Sequence, residues 1–65
     1  MNKENKRYKV EFGPYNKEYT TIVNAKSPER AKRIVDVSLK DKEEQFVKFV
    51  LDEHDNIVFH YLKNF

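Results

Sequence analysis

Apolar Tyr8, Val10 and Phe12 alternate with polar Arg7, Lys9 and Glu11, the period of two that marks a strand with one buried face. Gly13-Pro14-Tyr15-Asn16 stops the alternation, because Pro14 has no amide hydrogen to donate and Gly13 and Asn16 tolerate positive φ. A second strand is predicted over residues 19–25, rich in Thr, Ile and Val. Pairing Phe12 with Tyr19 across the turn sets Val10 against Thr21 and Tyr8 against Val23, so these residues share a face.

Ser27-Pro28-Glu29-Arg30 predicts a helix start: a serine to cap exposed amides, proline at the first helical position, and an acid facing the helix dipole. Ala31, Ile34, Val35, Ser38 and Leu39 then follow the spacing of one buried stripe. Glu29 with Arg33 and Asp36 with Lys40 are acid-before-base pairs four residues apart, each worth about 0.2–0.5 kcal/mol on an exposed surface. Apolar periodicity gives way to charge around Asp41 to Glu44, where the helix is expected to end.

The last two segments, Phe46-Val47-Lys48-Phe49-Val50-Leu51 and Ile57-Val58-Phe59-His60-Tyr61-Leu62, carry large apolar residues at both parities. Two such strands offer apolar side chains to both faces of a sheet, and one short helix covers only one of them. Between them, Asp52-Glu53-His54-Asp55-Asn56 reads as a hairpin loop. A three-residue loop at His54 to Asn56, with Asn56 left-handed, pairs Leu51 with Phe59 and Phe49 with Tyr61. A two-residue turn at Asp55-Asn56 opposes Leu51 to His60 and mixes apolar with polar residues on each face, so the three-residue loop is preferred. The predicted fold is α+β: a ββαββ chain with a four-stranded, mostly antiparallel sheet and one helix packed on one face. Residues 7–65 form the single domain, and residues 1–6 are read as a flexible N-terminus.

In this register the helix-side core takes Val47, Phe49, Leu51, Ile57, Phe59 and Tyr61 from the second hairpin, beside the first hairpin's shared face. The opposite face keeps Ile22, Phe46, Val50, Val58 and Leu62, with Lys48, His60, Arg7 and Lys9 among and around them. Contiguous, these residues make a patch of a few hundred Å², near the largest that soluble monomers expose. The patch predicts a protein-contact surface that meets a second copy in a homodimer or captures a foreign protein. Nucleic acid is a third occupant, limited by having only Phe46 and His60 to stack on bases.

Composition narrows the rest. A 65-residue chain buries only about 60% of its unfolded surface, and without cysteine no disulfide supplements that core. The formal charge of +2 conceals a dipole: residues 1–33 hold nine Lys/Arg and four Asp/Glu, a net +5, and residues 34–65 hold four and seven, a net −3. The basic half contains Lys26, Arg30, Lys32 and Arg33 around the helix start, which suit phosphate contacts and define an alternative nucleic-acid-binding module. Against base-specific reading, the exposed helix face offers mainly Lys, Asp and Arg rather than a row of Asn, Gln and Arg.

No metal site is expected: His54 and His60 are too few for structural zinc, and the acidic loop lacks the calcium-loop spacing with its central glycine. No Ser, Cys or carboxylate is placed beside His60 to make it a general base, and the single glycine allows no phosphate-cradling loop. The expectation is a non-enzymatic protein without cofactor or small-molecule substrate. The N-terminal Met1-Asn2-Lys3-Glu4-Asn5-Lys6 leads into no apolar signal core, and no run approaches the roughly 18 residues of a membrane span, so a cytoplasmic protein away from membranes is predicted.

Ile22-Val23-Asn24-Ala25-Lys26-Ser27-Pro28-Glu29-Arg30-Ala31 resembles a strand-to-helix joint of small phage and mobile-element accessory proteins, with Val-x-Ala, a capping Ser, an acid, and Ala opening the helix. The resemblance implies an accessory protein that modulates or inhibits a host protein in the host cytoplasm. It brings no catalytic residues with it.

Overall fold

The computed structural model of the chain describes residues 5–61. Strands β1 (Lys6–Gly13), β2 (Tyr19–Ala25), β3 (Phe46–Leu51) and β4 (Ile57–His60) form one open antiparallel sheet in the order β2-β1-β3-β4. Helix α1 (Pro28–Ser38) packs on one side, giving the α+β arrangement that the sequence pattern predicts.

The first hairpin has the expected register, with Phe12 opposite Tyr19, Val10 opposite Thr21 and Tyr8 opposite Val23. Its turn depends on Gly13, whose φ of +135° lies where side-chain-bearing residues are strained. A Cβ there would sit 2.7 Å from the Lys17 carbonyl oxygen, closer than backbone atoms tolerate.

The helix begins as its residues dictate. Ser27 is extended, its Oγ accepts from the Arg30 amide at 3.2 Å, Pro28 opens the first turn, and Glu29 faces the dipole. The buried stripe is narrower than expected: Ala31, Val35 and Leu39, spaced four apart, are 0%, 4% and 8% exposed, whereas Ile34 is 49% exposed and Ser38 is exposed. Residues four apart keep one line of contact on the sheet, and Ile34 is turned from that line toward β2. The helix also closes earlier than expected, at Ser38, where the Leu39 amide is shared between the carbonyls of Val35 and Asp36. Asp36 pairs with Lys32 rather than with Lys40.

The core unites Tyr8, Val10, Ala25, Ala31, Val35, Leu39, Val47 and Val50, with Phe12, Val23 and Phe59 packed against it. Only two β3 residues belong to it, and a bulge is the reason. Phe12 opposes Val47 while Glu11 opposes Phe49, leaving Lys48 without an opposite residue and inverting the alternation beyond it. Val50, expected on the contact surface, is therefore 0% exposed beneath α1. Phe49 and Leu51, expected in the core, lie with Glu11 and Lys9 on the other face.

The second hairpin has a second bulge. Leu51 opposes Ile57 and Val50 opposes Phe59, so Val58 is the extra residue. The loop is a three-residue one displaced by one position from the expected His54 to Asn56. The Asp52 amide donates to the Asn56 carbonyl at 2.9 Å, the Asp55 amide donates to the Asp52 carbonyl at 2.9 Å, and Asp55 rather than Asn56 is left-handed, with φ 66°. Ile57 lies opposite Leu51, which the Lys48 bulge has turned outward, and so leaves the predicted core for the open face. Tyr61 is likewise not a core residue; it is 43% exposed, with its ring 4.9 Å from that of Phe46.

Candidate functional site: the open face of the sheet

Strand pairing arranges the side of the sheet away from α1 in cross-strand rows. Ile22, Lys9, Leu51 and Ile57 form one row, and Thr20, Glu11, Phe49 and His60 the next. Beyond them Phe46 lies opposite Gly13. The β3–β4 half is thus apolar and aromatic, while the β1–β2 half mixes charge with Ile22.

The aromatic residues of this face are ordered by one another. Phe49 and His60 stack with centroids 4.9 Å apart and planes at 12°. Phe46 meets Tyr61 and, edge-on at 5.4 Å, Tyr15. The Lys48 ammonium donates to the Lys17 carbonyl at 2.8 Å and lies 5.8 Å from the Phe46 ring centroid, which fixes a cation at the end of the aromatic row. Lys9 pairs with Asp55 at 3.6 Å, with both side chains substantially exposed, a contact that orients the lysine more than it stabilises the fold.

Of the residues expected at the contact surface, Ile22, Phe46, Lys48, His60, Arg7 and Lys9 belong to this face. Val50 does not, being core, and Val58 is carried by its bulge to the helix side, where it flanks a cleft with Pro28, Lys32, Asp36 and Phe59. Leu62 lies outside the described residues. The residues missed are Phe49, Leu51 and Ile57. The sequence feature that distinguishes them is side-chain size: a bulge at Lys48 turns the two small valines, Val47 and Val50, inward and the bulkier Phe49 and Leu51 outward.

The cations of the helix start divide. Lys26, Arg30 and Arg33 line a groove between α1 and the β2 end, together with Ile34 and Val37. Lys32 points elsewhere, bonded to Asp36 and 5.2 Å from the Phe59 ring centroid. Three of the four residues predicted for phosphate contact therefore share a surface, and the fourth is neutralised.

Apart from the Lys9–Asp55 pair, the acidic hairpin loop bonds mainly to itself. The Asp52 carboxylate accepts the amides of His54 at 2.8 Å and Asn56 at 2.9 Å, and its pKa is lowered, most by the Asn56 amide. Among the described residues no group of three His, Cys, Asp or Glu is placed to hold a metal ion. Nor is any helix among them long and apolar enough to cross a membrane. Comparison with family models, with curated proteins and with solved structures found no match to this chain.

Proposed function

We propose that this chain is a non-enzymatic protein-binding module that works through the open face of its sheet. The observation that supports this reading is the run of Phe46, Phe49, Leu51 and Ile57 across β3 and β4 on the face α1 does not cover, with Ile57 59% exposed. Burial of such residues contributes about 25 cal/mol per Å² of apolar area, and Arg7, Lys9 and Lys48 beside them favour a partner with an apolar centre and an acidic rim. The partner class is a protein surface rather than bases, because Phe49 and His60 each give one ring face to the other and the acidic Glu11 lies opposite Phe49 in the same row. A host protein is the partner that suits the resemblance of residues 22–31 to mobile-element accessory proteins.

The groove of Lys26, Arg30 and Arg33 favours a second reading, a nucleic-acid-binding module, because three cations converge there beside one acid, Glu29. The experiment that separates the two recovers partners from cells with the wild-type chain, purifies each, and measures its affinity by calorimetry. Loss of more than tenfold in affinity on Ile57→Asp, with Arg30→Ala/Arg33→Ala unaffected, is the expected result. Affinity that is indifferent to Ile57→Asp overturns the open-face reading. Salt-sensitive binding to duplex DNA that disappears in the double arginine variant establishes the other.

A further inference from the structure

β2 stands at one end of the strand order, so its outer edge carries no strand among the described residues. Edge strands are usually protected from pairing by shortness, bulges, proline or charge. The other edge, β4, is so protected: it has four residues and a bulge. β2 has seven residues, Tyr-Thr-Thr-Ile-Val-Asn-Ala, with no charge, no proline and no irregularity in its pairing. Charges appear only where it ends, Glu18 immediately before and Lys26 immediately after, both exposed and of opposite sign.

We infer that β2 pairs with the β2 strand of a second copy, antiparallel about a two-fold axis through Ile22, joining two four-stranded sheets into one. An axis perpendicular to the sheet keeps both helices on the same side and requires directly opposed residues to have the same parity. Full overlap of residues 19–25 then places Ile22 opposite the partner's Ile22, Thr21 opposite the partner's Val23, and Tyr19 opposite the partner's Ala25. One position beyond each end, Glu18 falls opposite the partner's Lys26, and the symmetry repeats the ion pair at the other end. A slip of two residues in either direction loses both pairs, so the charges select the register that overlaps most.

The helix side faces the same seam. Ile34 and Val37, 49% and 63% exposed, line the groove beside Ala25 together with Arg30 and Arg33, so the two-fold axis brings the partner's helix toward an apolar strip flanked by like charges, and the assembly rests on the strand edge rather than on the helices. Ile22 and Tyr19, 52% and 44% exposed, become covered at the seam. The two open faces join into one surface, so this inference goes beyond the open-face reading and uses a different contact.

Sedimentation velocity of the full chain, from micromolar to millimolar concentration, tests it. The expected mass rises from 7.9 kDa toward twice that value. Glu18→Lys and Lys26→Glu each raise the dimer Kd by about tenfold, and combining the two substitutions restores it to within about threefold. Ile22→Lys, which sets two ammonium groups on the axis, leaves a monomer throughout, while Ile57→Asp leaves the dimer intact. Far-UV circular dichroism confirms that each variant is folded, and the charge exchange decides the matter even if Ile22→Lys is not. A wild-type monomer at millimolar concentration overturns the inference, as do charge variants that fail to rescue each other. So does a dimer broken by Ile57→Asp and spared by Ile22→Lys, which moves self-association to the open face. Monomers that bind polyglutamate or duplex DNA through Arg30 and Arg33 assign the groove to an acidic ligand and overturn it too.

Discussion

Truncating Val50 to alanine tests the register on which the open face rests. Val50 is 0% exposed, opposes Val10 on one side and Phe59 on the other, and belongs to the core cluster under α1. Removing its two methyl groups forfeits about 0.8 kcal/mol each in transfer free energy, and the cavity left behind brings the cost to about 2–3 kcal/mol. A domain of 65 residues is expected to have about 3–10 kcal/mol of stability in all, so Val50→Ala removes a large fraction of it. At about 4–8 °C per kcal/mol the melting temperature falls by about 10–20 °C. Ile57→Ala is the control: on the open face and 59% exposed, it costs less than about 1 kcal/mol. Urea unfolding, followed by far-UV circular dichroism and by tyrosine fluorescence in this tryptophan-free chain, measures both. A Val50→Ala cost below about 1 kcal/mol, with Ile57→Ala above about 2, refutes the bulged register and restores the unbroken alternation with Val50 outward.

Other substitutions probe the joints of the fold. Gly13→Ala forces a Cβ against the Lys17 carbonyl at positive φ and is expected to cost about 2–3 kcal/mol, read as a lower urea midpoint with unchanged slope; a neutral result removes the steric argument. Ser27→Ala removes the acceptor for the Arg30 amide and lowers stability by about 1 kcal/mol, whereas Ser27→Asp retains it. The Asp52 pKa is depressed, chiefly by the Asn56 amide, so its contribution to stability is full above the ordinary aspartate value and is lost as pH falls through the depressed folded value. Carboxyl-carbon titration by NMR should show Asp52 protonating below the ordinary aspartate value, and a midpoint at or above that value contradicts the loop geometry.

The parts of the fold legible in the sequence are those where one physical signal acts without a competitor. Tyr8, Val10 and Phe12 alternate with charged residues, so the first hairpin admits one register, and Ser27-Pro28-Glu29 mark a helix start that nothing nearby contradicts. The second hairpin lacks that contrast. When both parities are apolar, alternation cannot say which set faces the helix, and one unpaired residue exchanges them. The bulge at Lys48 does this from Phe49 to Ile57, and the bulge at Val58 returns Phe59 to the helix side. An apolar open face on the second hairpin was therefore legible as a surplus of apolar residues, but its membership was not: Val50 lies inward while Phe49, Leu51 and Ile57 lie outward. Ile34 failed for a related reason, since helical spacing defines a broad apolar stripe and the sheet took only the line through Ala31, Val35 and Leu39.

That line carries a meaning of its own. Ala31 is wholly enclosed, and the β3 residues sharing its core are Val47 and Val50, not the bulkier Phe49 and Leu51 that the unbulged strand would send there. Hydrophobicity does not choose between the two faces of β3, since both sets are apolar; the set turned inward is the one of smaller side chains, in keeping with close packing under a helix seated on alanine. The aromatic character of the outer surface is thereby tied to packing on the opposite side of the sheet. A lineage that enlarged Ala31 would be expected to rewrite the open face without altering any residue on it.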